Sequence, residues 1–491
     1  MTYGVGMTRD VHEQLLNHLL RRDRQEDACF ALWHPSAGKE RLSAIIASTI
    51  TPEPGDREVH GNVAILPQYI SRAISTAVEQ GCGLALLHSH LGPGWQDMSS
   101  DDIETEAMLG PRVLGATRLP LVGLTAGTDG SWSARFWLRT APKRYERKWC
   151  ESVRVVGSGL HITFHDGLLP PPGYRQELDR TVSAWGTHAQ GNLSRLRVGV
   201  VGLGSVGSMV ADALARMGVQ RLVLLDFDAV EAVNLDRHMH ATRADIGKAK
   251  VHVSARQLQL RATAAHFSVT PLELSIVEPD GFKAALDCDV LFSCVDNRPW
   301  SRQALNALAH AHLIPVIDGG VDAEPLSNGR GLRRADVRGH VVMPGSCCLE
   351  CLGQYDSGLV ALDQAGLIDS ESYIRSLPRE HGLRRNENVY AFSIMAAALE
   401  IRQLLAMVVM PHFANPQAMY HFGTGGLDRA DDRCRDGCYF VGITGLGDHC
   451  HEVFTGPHAV AEQCRLARRR ARGLGSMALL HQIGKLFGRR S

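Results

Sequence analysis

The sequence lacks an excess of charge of either sign and lacks a long apolar run. Its 52 basic and 52 acidic residues cancel, so nothing in the overall charge points to nucleic acid or to a membrane surface. No uninterrupted apolar run approaches the roughly 18 residues of a membrane-spanning helix, and no basic start precedes an apolar leader. We therefore expect a soluble protein with no membrane span and no nucleic-acid partner.

Paired cysteines are also scarce. The twelve cysteines are scattered apart from two close pairs, which argues for metal-bound or reactive thiols in a reducing cytoplasm rather than a disulfide framework. At 491 residues the chain is too long for one hydrophobic core, so two or three domains are expected.

A glycine pattern near the middle of the chain predicts a nucleotide-binding turn. The β-branched run Val198 to Val201 leads into G-x-G-x-x-G at Gly202, Gly204 and Gly207, then into a helical pattern and a second apolar run that ends on Asp226. Strand, glycine turn, helix, strand and acid follow in the order of a mononucleotide-binding unit. Such glycines let the backbone approach phosphate, and the acid can hold a ribose hydroxyl.

The residues after Asp226 favour ATP over NAD as the predicted ligand. The chain continues D-F-D-x-V-x-x-x-N-L-D-R, and Lys250 follows thirteen positions after Arg237. Asn, Arg and Lys in this cluster suit a triphosphate whose charge must be held during transfer, whereas NAD needs little beyond the acid. A plain NAD-binding unit is the alternative, because the glycine fingerprint alone fits both.

This stretch resembles the adenylating domain shared by ThiF, MoeB and the ubiquitin-activating enzymes. The resemblance implies ATP and Mg²⁺ as cofactors, with the magnesium aspartate at Asp296 in the C-V-D-N turn after the strand Val290 to Cys294. It also implies phosphate-binding and catalytic roles for Arg237 and Lys250. The nucleotide-binding residues implied in this way are Gly202, Gly204, Gly207, Asp226, Asp228, Asn234, Arg237, Lys250 and Asp296.

The segment before the glycine turn resembles a further family feature, R-x-x-R-Q followed by G-x-x-x-Q. Arg180 matches the second arginine, Gly186 and Gln190 match the later pair, and Glu177 stands where the first arginine usually falls. The resemblance implies that Arg180 is a catalytic arginine that reaches the ATP of the other subunit in a homodimer. A solvated helix arginine is the alternative.

A His-Ser-His sequence after an apolar strand predicts a zinc site in the N-terminal part. His88 and His90 follow the strand Gly83 to Leu87 and, being two apart, project to the same face. With a carboxylate from the next helix they offer three zinc ligands and leave a position for water. Glu26, where the first helix gives way to an apolar run, is the candidate base for that water.

This arrangement resembles the JAB/JAMM (MPN-type) metalloproteases, which have a distant Glu, then H-x-H, about seven residues, and S-x-x-D. The spacer here is one residue longer, so Asp101 competes with Asp102 as the third ligand, and the serine spacing favours Asp102. A metal-free domain of the same fold is the alternative. The resemblance implies His88, His90 and Asp102 as zinc ligands, Glu26 as base and Ser99 as oxyanion donor.

Two cysteine pairs in the second half fit a closed zinc site. Cys348-x-x-Cys351 and Cys434-x-x-x-Cys438 offer four thiolates. The adenylating family has a structural zinc at corresponding places. Because Cys347 is adjacent to Cys348, the sequence does not decide which cysteines are the four ligands. Four cysteines without a metal ion are the alternative.

The expected fold class is α/β. We expect an MPN-type domain over residues 1–150, a linker over 151–176 with a Pro/Gly break, a doubly wound, mostly parallel Rossmann-like adenylating domain over 177–450, and a basic tail over 451–491. The tail could touch a membrane, nucleic acid or an acidic partner, but a solvated and poorly ordered end is the preferred interpretation.

Together the two resemblances imply a bacterial-type ubiquitin-like activating enzyme fused to a deubiquitinase-like peptidase. The expected partners are a β-grasp ubiquitin-like protein and a conjugating enzyme. One alternative is activation of a sulfur-carrier protein to a thiocarboxylate, and another is a pair of non-enzymatic binding modules. No cysteine lies between Cys351 and Cys434, so we predict that a partner attacks the acyl-AMP directly, or that Cys347, a serine or a threonine accepts the acyl group.

Overall fold

The protein is described by a computed structural model, which covers residues 1–378, 381–384, 387–410, 416–430, 432–450 and 454–471. Two large sheets and a small hairpin contain the strands. The strands are β1 (Thr2–Thr8), β2 (Ala28–Ala37), β3 (Arg41–Ile50), β4 (Arg57–His60), β5 (Asn62–Ile65), β6 (Gly83–Ser89), β7 (Leu121–Ala126), β8 (Trp132–Ala141), β9 (Arg144–Trp149), β10 (Ser152–Val156), β11 (Leu160–Phe164), β12 (Arg197–Val201), β13 (Arg221–Leu225), β14 (Ser268–Leu272), β15 (Val290–Ser293), β16 (Val316–Pro325), β17 (Leu332–Val342), β18 (Gln417–His421) and β19 (Gly426–Ala430). The helices are α1 (Arg9–Leu19), α2 (Pro67–Glu79), α3 (Ser100–Thr117), α4 (Asp179–Arg195), α5 (Ser205–Arg216), α6 (Lys250–Arg261), α7 (Pro279–Leu286), α8 (Pro299–Ala311), α9 (Val360–Gln364), α10 (Glu371–Ser376), α11 (Tyr390–Val408) and α12 (Tyr439–Gly442), and residues 459–471 form a terminal helix.

The N-terminal sheet has nine strands in the order β11-β10-β1-β3-β2-β6-β7-β8-β9. Every residue of β6 is buried, as expected for a central strand with helices packed on the sheet. Helices α1, α2 and α3 cover this mixed sheet, and α3 packs against β6, β7 and β8. The sheet therefore forms a complete α/β unit of its own.

The first domain extends further than the sequence indicated. Residues 152–164, assigned above to a linker, form β10 and β11, and β10 pairs in parallel with β1. The correction has a physical reason: β10 is recognisable only through its pairing with β1, the first strand of the chain, and β11 only through its pairing with β10. The connection between the two sheets is therefore shorter than 151–176, although it still contains the Pro/Gly break.

The C-terminal sheet has eight strands in the order β14-β13-β12-β15-β16-β17-β18-β19. The first five are parallel, and the last three add in antiparallel fashion. This is the mostly parallel, Rossmann-like α/β arrangement expected from the sequence. The glycine turn between β12 and α5 lies at the carboxyl end of the central strand.

The two sheets share a buried polar interface. The Arg41 guanidinium donates a hydrogen bond of 2.6 Å to Asp289, and each side chain is only 1% exposed. Arg154 donates to the Leu313 carbonyl oxygen at 3.1 Å. Apolar contact continues across the boundary, because Ile45 belongs to the same core cluster as Val198. These contacts all involve the amino-terminal ends of the parallel strands.

The described part of the basic tail is only partly solvated, which corrects the preferred interpretation at two positions. Arg465 donates to Glu278 at 2.6 Å, and Arg468 donates to Glu273 at 2.8 Å. Arg469 and Arg470 are exposed. Two of the tail arginines therefore pair with acids of the C-terminal domain. Residues 451–453 and 472–491, which include the final basic segment, lie outside the described residues.

Helix α11 is an exception to the expectation that no segment could span a membrane. It is long and apolar enough by length and composition, and half of its apolar window is buried. It also carries Glu400, which is completely buried, and it packs against β16, β17 and α5. These contacts are those of a core helix beside the sheet.

Candidate functional sites

The three glycines of the turn differ in their surroundings: two are in tight contact with the backbone, and one faces open space. Gly202 has φ +87°, and a Cβ at this position would collide with the Cys294 carbonyl. A Cβ on Gly207 would collide with the Gly202 carbonyl oxygen. Gly204, the N-cap of α5, has φ −72°, and a Cβ there would meet nothing within 4 Å. The turn thus leaves unfilled space beside the N-terminus of α5, where backbone N–H groups favour an anion.

Three carboxylates and one lysine line the same end of the sheet. Asp226 accepts hydrogen bonds from the backbone N–H groups of Leu203 (2.6 Å) and Asp228 (2.7 Å), which ties the glycine turn to the next loop. Lys250, at the start of α6, donates to Asp228 at 2.8 Å. Burial alone would lower the pKa of Lys250, but the nearby charges of Asp226, Asp228 and Asp296 raise it above its ordinary value. Burial raises the pKa of the Asp226 carboxyl, although Lys250 opposes that shift.

Asp296 is exposed at the end of the C-V-D-N turn, and its carboxylate makes no hydrogen bond or ion pair within the described parts of the chain. Its backbone is held firmly: Arg302 donates to the carbonyl oxygens of Asp296 (2.6 Å) and Val295 (2.8 Å). Arg302 also donates to Asp318 at 3.2 Å, and both side chains are buried. Arg302 thus fixes the direction in which Asp296 leaves the sheet. The sequence analysis missed it, because only its position six residues after Asp296 could have indicated this contact.

Other residues assigned to the nucleotide site form local contacts. The Asn234 side chain accepts from the Glu231 N–H at 2.9 Å, and Arg237 donates to the Val233 carbonyl at 2.7 Å. The segment that carries them lies beside the glycine turn, since the Met239 N–H donates to the Ser208 hydroxyl of α5. The structure therefore brings this loop to the turn, but it does not direct these two side chains at it.

Before the glycine turn, two of the positions that match the family pattern shape and anchor helix α4, and Arg180 is exposed. Arg180 is exposed in the first turn of α4. Gly186, with φ +84°, kinks α4. The buried Gln190 donates to the Met217 carbonyl at 2.8 Å and so anchors α4 to the end of α5. Glu177, which replaces the usual first arginine, lies in an exposed turn before α4.

The histidines of the N-terminal domain converge with Asp102. His88 Nε2 lies 3.3 Å from Asp102 Oδ1, His90 Nε2 lies 3.2 Å from Asp102 Oδ2, and the two Nε2 atoms are 3.2 Å apart. Burial disfavours the charged Asp102, but both histidines outweigh it and hold the pKa of this carboxyl well below its usual range. Asp101 is exposed and outside the cluster, so the structure selects Asp102 of the two candidates.

These residues are close enough to share a zinc ion. A tetrahedral ion with bonds of about 2.0–2.1 Å holds its ligand atoms about 3.3 Å apart, which matches the separation of the two Nε2 atoms, and one ligand atom from each of the three residues lies within 4.8 Å of the others. Each histidine contacts a different oxygen of Asp102. Ser99 is the N-cap of α3: it accepts from the Asp102 N–H at 3.2 Å, while the Asp102 carboxylate accepts from the Ser99 N–H. The S-x-x-D pattern is thus a capping box that aims Asp102 at the histidines.

Glu26 lies two residues before β2. In the β2–β6 ladder Ala28 is opposite His88, and the Ser89 N–H donates to the Asp27 carbonyl. Before that point the Glu26 N–H donates to the Gly61 carbonyl at 3.2 Å, and the His90 N–H donates to the Ala126 carbonyl at 2.9 Å. The start of β2 therefore lies beside the strand that carries the histidines, and the role of Glu26 as the base stays a prediction.

A buried polar network reaches His88 at Nε2, the nitrogen that also faces Asp102 and His90. The Thr125 hydroxyl lies 3.3 Å from His88 Nε2 and accepts from Arg135 at 2.6 Å. Arg135 in turn donates to Glu106 at 3.0 Å, and both are almost completely buried. Sequence spacing gives no signal for this network, because its members come from three separate elements.

The four cysteines of the two pairs lie together, and Cys347 lies outside the group. The Sγ atoms of Cys348, Cys351, Cys434 and Cys438 are all within 4.8 Å of one another. Cys348 Sγ lies 3.7 Å from Cys438 Sγ, the separation expected for zinc–sulfur bonds of about 2.3 Å. The Cys351 N–H donates to Cys348 Sγ at 3.4 Å. A Cys₄ zinc site is therefore compatible with this geometry, and Cys347 is buried beside it.

The mostly parallel sheet, with a glycine turn, a lysine and acids at its carboxyl edge, makes the C-terminal part a Rossmann-like α/β domain. Residues 177–409 match the ThiF family, so this part of the chain is a ThiF-family domain. The match begins at Glu177, and the N-terminal sheet lies outside it.

Among curated proteins the chain is similar to ubiquitin-like modifier-activating enzyme 5. The protein from Drosophila pseudoobscura pseudoobscura is 34% identical over 149 residues, which cover 28% of this chain and 37% of that protein. The protein from Aedes aegypti is 29% identical over 167 residues, covering 31% and 39%. The chain thus spans less than half the length of these relatives.

Among solved structures, the chain aligns with MccB from E. coli in complex with ATP. The identity is 20%, the alignment covers 54% of this chain and 75% of MccB, and the TM-score is 0.41.

Proposed function

We propose that the C-terminal domain uses ATP to adenylate the C-terminal carboxylate of a small ubiquitin-like protein. One observation supports this above the others: Gly204 faces open space beside the N-terminus of α5, at the edge of the sheet that carries Lys250 and Asp296. A turn that only connected β12 to α5 would not need that space. The similarity to ubiquitin-like modifier-activating enzyme 5 supports a protein carboxylate as the acyl group.

In this proposal each residue has a separate task. The space at Gly204 admits the phosphates, and the α5 N-terminus donates backbone hydrogen bonds to them. Asp226 holds the ribose as well as the glycine turn. Lys250, which keeps its proton among acids, neutralises charge on the phosphates as the carboxylate attacks. Arg237, whose bonds are local in the free protein, and Arg180 of a second subunit complete the phosphate contacts.

Magnesium fits the acids beside Lys250. Asp228 and Asp296 supply the hard oxygen ligands that Mg²⁺ prefers, and the Asp296 carboxylate has no protein partner within the described residues. The bound ion would reduce repulsion between ATP and the attacking carboxylate. Arg302 keeps Asp296 in place for this role.

We further propose that the N-terminal domain is a JAB/JAMM-type zinc peptidase that trims or deconjugates the same ubiquitin-like protein. The support is the convergence of His88, His90 and Asp102, together with the start of β2 beside His88, two residues after Glu26. Zinc there would supply an activated water. Glu26 would serve as the general base toward water, and the Ser99 hydroxyl would serve as the hydrogen-bond donor to the oxyanion of the substrate. The Cys₄ group would hold a second, structural zinc.

The decisive experiment is pyrophosphate exchange with the full chain, ATP, Mg²⁺ and candidate β-grasp proteins. We expect exchange that depends on the partner's free C-terminus. A partner whose C-terminus carries one extra residue should give no exchange when the peptidase site of the chain has been inactivated, because the extra residue then stays in place. Exchange without any protein partner, or none with any β-grasp protein tried, would contradict the proposal.

Sulfur-carrier activation is the alternative use of the same acyl-AMP. Mass spectrometry of the partner after reaction separates the two: an adduct on a target amine supports conjugation, whereas a C-terminal thiocarboxylate formed with a sulfur donor supports the alternative. A cytoplasmic location suits either use.

A further inference from the structure

A third group of metal-binding side chains lies between the two domains, away from both proposed catalytic sites. His34 comes from β2, Cys82 directly precedes β6, and His449 comes from the loop after α12. One ligand atom from each lies within 4.8 Å of the others. His34 Nδ1 is 2.7 Å from His449 Nδ1 and 3.9 Å from Cys82 Sγ. The first two residues belong to one domain and the third belongs to the other.

The backbone around the group is fixed from both sides. The antiparallel register of β2 and β6 pairs Trp33 with Gly83, so His34 and Cys82 are opposite each other on one face. The loop with His449 is docked on β2, because the Ala37 N–H donates to Asp448 at 2.9 Å. Gly447, with φ +51°, approaches so closely that a Cβ would collide with the Pro35 carbonyl. The three ligands are therefore held in place by main-chain contacts.

We propose that His34, Cys82 and His449 bind a Zn²⁺ ion that joins the two domains. Two imidazole nitrogens and one thiolate are a ligand set that zinc accepts, with water as the fourth ligand on the partly exposed His449 side. Around zinc the two nitrogens would stand about 3.3 Å apart and each about 3.6 Å from the sulfur. The imidazoles must therefore separate by about 0.6 Å and Cys82 Sγ approach by about 0.3 Å, shifts that small side-chain rotations supply.

This inference does not depend on either proposed activity, because the ion would be structural. Cys82 is 3% exposed and His34 is 8% exposed, so both are too deep to contact a protein substrate. Binding releases the Cys82 proton, since only the thiolate is a ligand. The ion would hold β2 of the first sheet to the end of the second domain.

The test is the zinc content of the full-length chain. Wild-type protein, Cys82→Ser and His449→Asn are saturated with Zn²⁺, desalted and analysed by inductively coupled plasma mass spectrometry. Each variant should hold one equivalent less than wild type, and the double variant should also lose only one. His60→Asn and Cys464→Ser, which alter residues outside the group, should match wild type.

Equal zinc content in the wild type and both variants would overturn the proposal. His34 and His449 would then form a hydrogen-bonded pair without a metal ion. The two variants alter different domains, so a folding failure of one leaves the other informative. An anomalous difference map from zinc-saturated wild-type crystals gives a result that needs no variant. A peak between His34 and His449 supports the site, and its absence overturns it.

Discussion

Replacing Gly204 with alanine tests the nucleotide turn without changing any charge. The backbone at this position has φ −72° and ψ −150°, which alanine adopts without strain, and the new methyl group would touch nothing in the free protein. A compatible Gly→Ala change alters the free energy of unfolding by about 0.4–1 kcal/mol through the unfolded chain, and the poorer helix cap offsets part of that gain. The unfolding temperature should therefore stay close to that of the wild type.

ATP should bind far less well to this variant, because the methyl group occupies the space that the phosphates need. We expect at least a tenfold loss of affinity, about 1.4 kcal/mol. The measurement is titration calorimetry with Mg²⁺ and a non-hydrolysable ATP analogue, accompanied by thermal denaturation. The analogue should raise the unfolding temperature of the wild type and leave that of Gly204→Ala unchanged.

Gly207→Ala is the matched control, since its Cβ would collide with the Gly202 carbonyl. Overpacking of this kind costs about 1–3 kcal/mol, and each kcal/mol lowers the unfolding temperature of a domain of this size by about 2–4 °C. Gly204→Ala should thus weaken ATP binding alone, whereas Gly207→Ala should first lower the stability of the domain. Wild-type affinity in Gly204→Ala would refute the assignment of this space to phosphate.

Five other substitutions test the remaining assignments. Asp296→Asn should abolish pyrophosphate exchange but keep peptidase activity, and full exchange would refute its role in binding Mg²⁺. Glu26→Gln should keep zinc and lose cleavage of an extended partner, whereas His88→Ala should lose both; zinc found only at the cysteines of the wild type would mean an inactive domain. Mixing Arg180→Ala with Asp296→Asn protein should restore part of the exchange if the arginine acts across a dimer, and no recovery from subunits shown to exchange would exclude that. Cys347 is 2% exposed, so we expect no thiol-sensitive acyl adduct on this residue, and an adduct lost in Cys347→Ala would contradict this.

Local signals in the sequence predicted the nucleotide turn, because the strand, the three glycines and the acid follow one another within one unit. The same holds for the capping box that carries Asp102, which four consecutive residues define. Long-range pairing could not be predicted in this way. Strand β10 belongs to the first sheet only through its pairing with β1, and Arg465 is paired only because Glu278 lies beside it in the fold.

The His34, Cys82 and His449 group was missed for the same reason. Its third member is 415 positions from the first, and no spacing rule joins them. For Asn234 and Arg237 the sequence pattern predicted a role that the side-chain contacts of the free protein do not show. The family pattern assigns them to phosphate, but in the free protein each side chain takes the nearest backbone partner, which a bound anion would have to displace.

The arrangement of the two domains bears on how trimming and activation could be linked. Strand β2 pairs with His88 at Ala28, and at its other end the Ala37 N–H donates to Asp448 in the loop of the C-terminal domain. Nine residue steps of about 3.3 Å separate these ends, so the histidine cluster lies about 30 Å along the strand from the domain interface. On the other side, the interface contacts the amino-terminal ends of the parallel strands through Asp289, whereas the glycine turn lies at their carboxyl ends. Both clusters therefore lie away from the shared interface. If both proposed activities act on the same partner, we expect cleavage and adenylation to be separate binding events, so Glu26→Gln should leave the adenylation rate of an already trimmed partner unchanged.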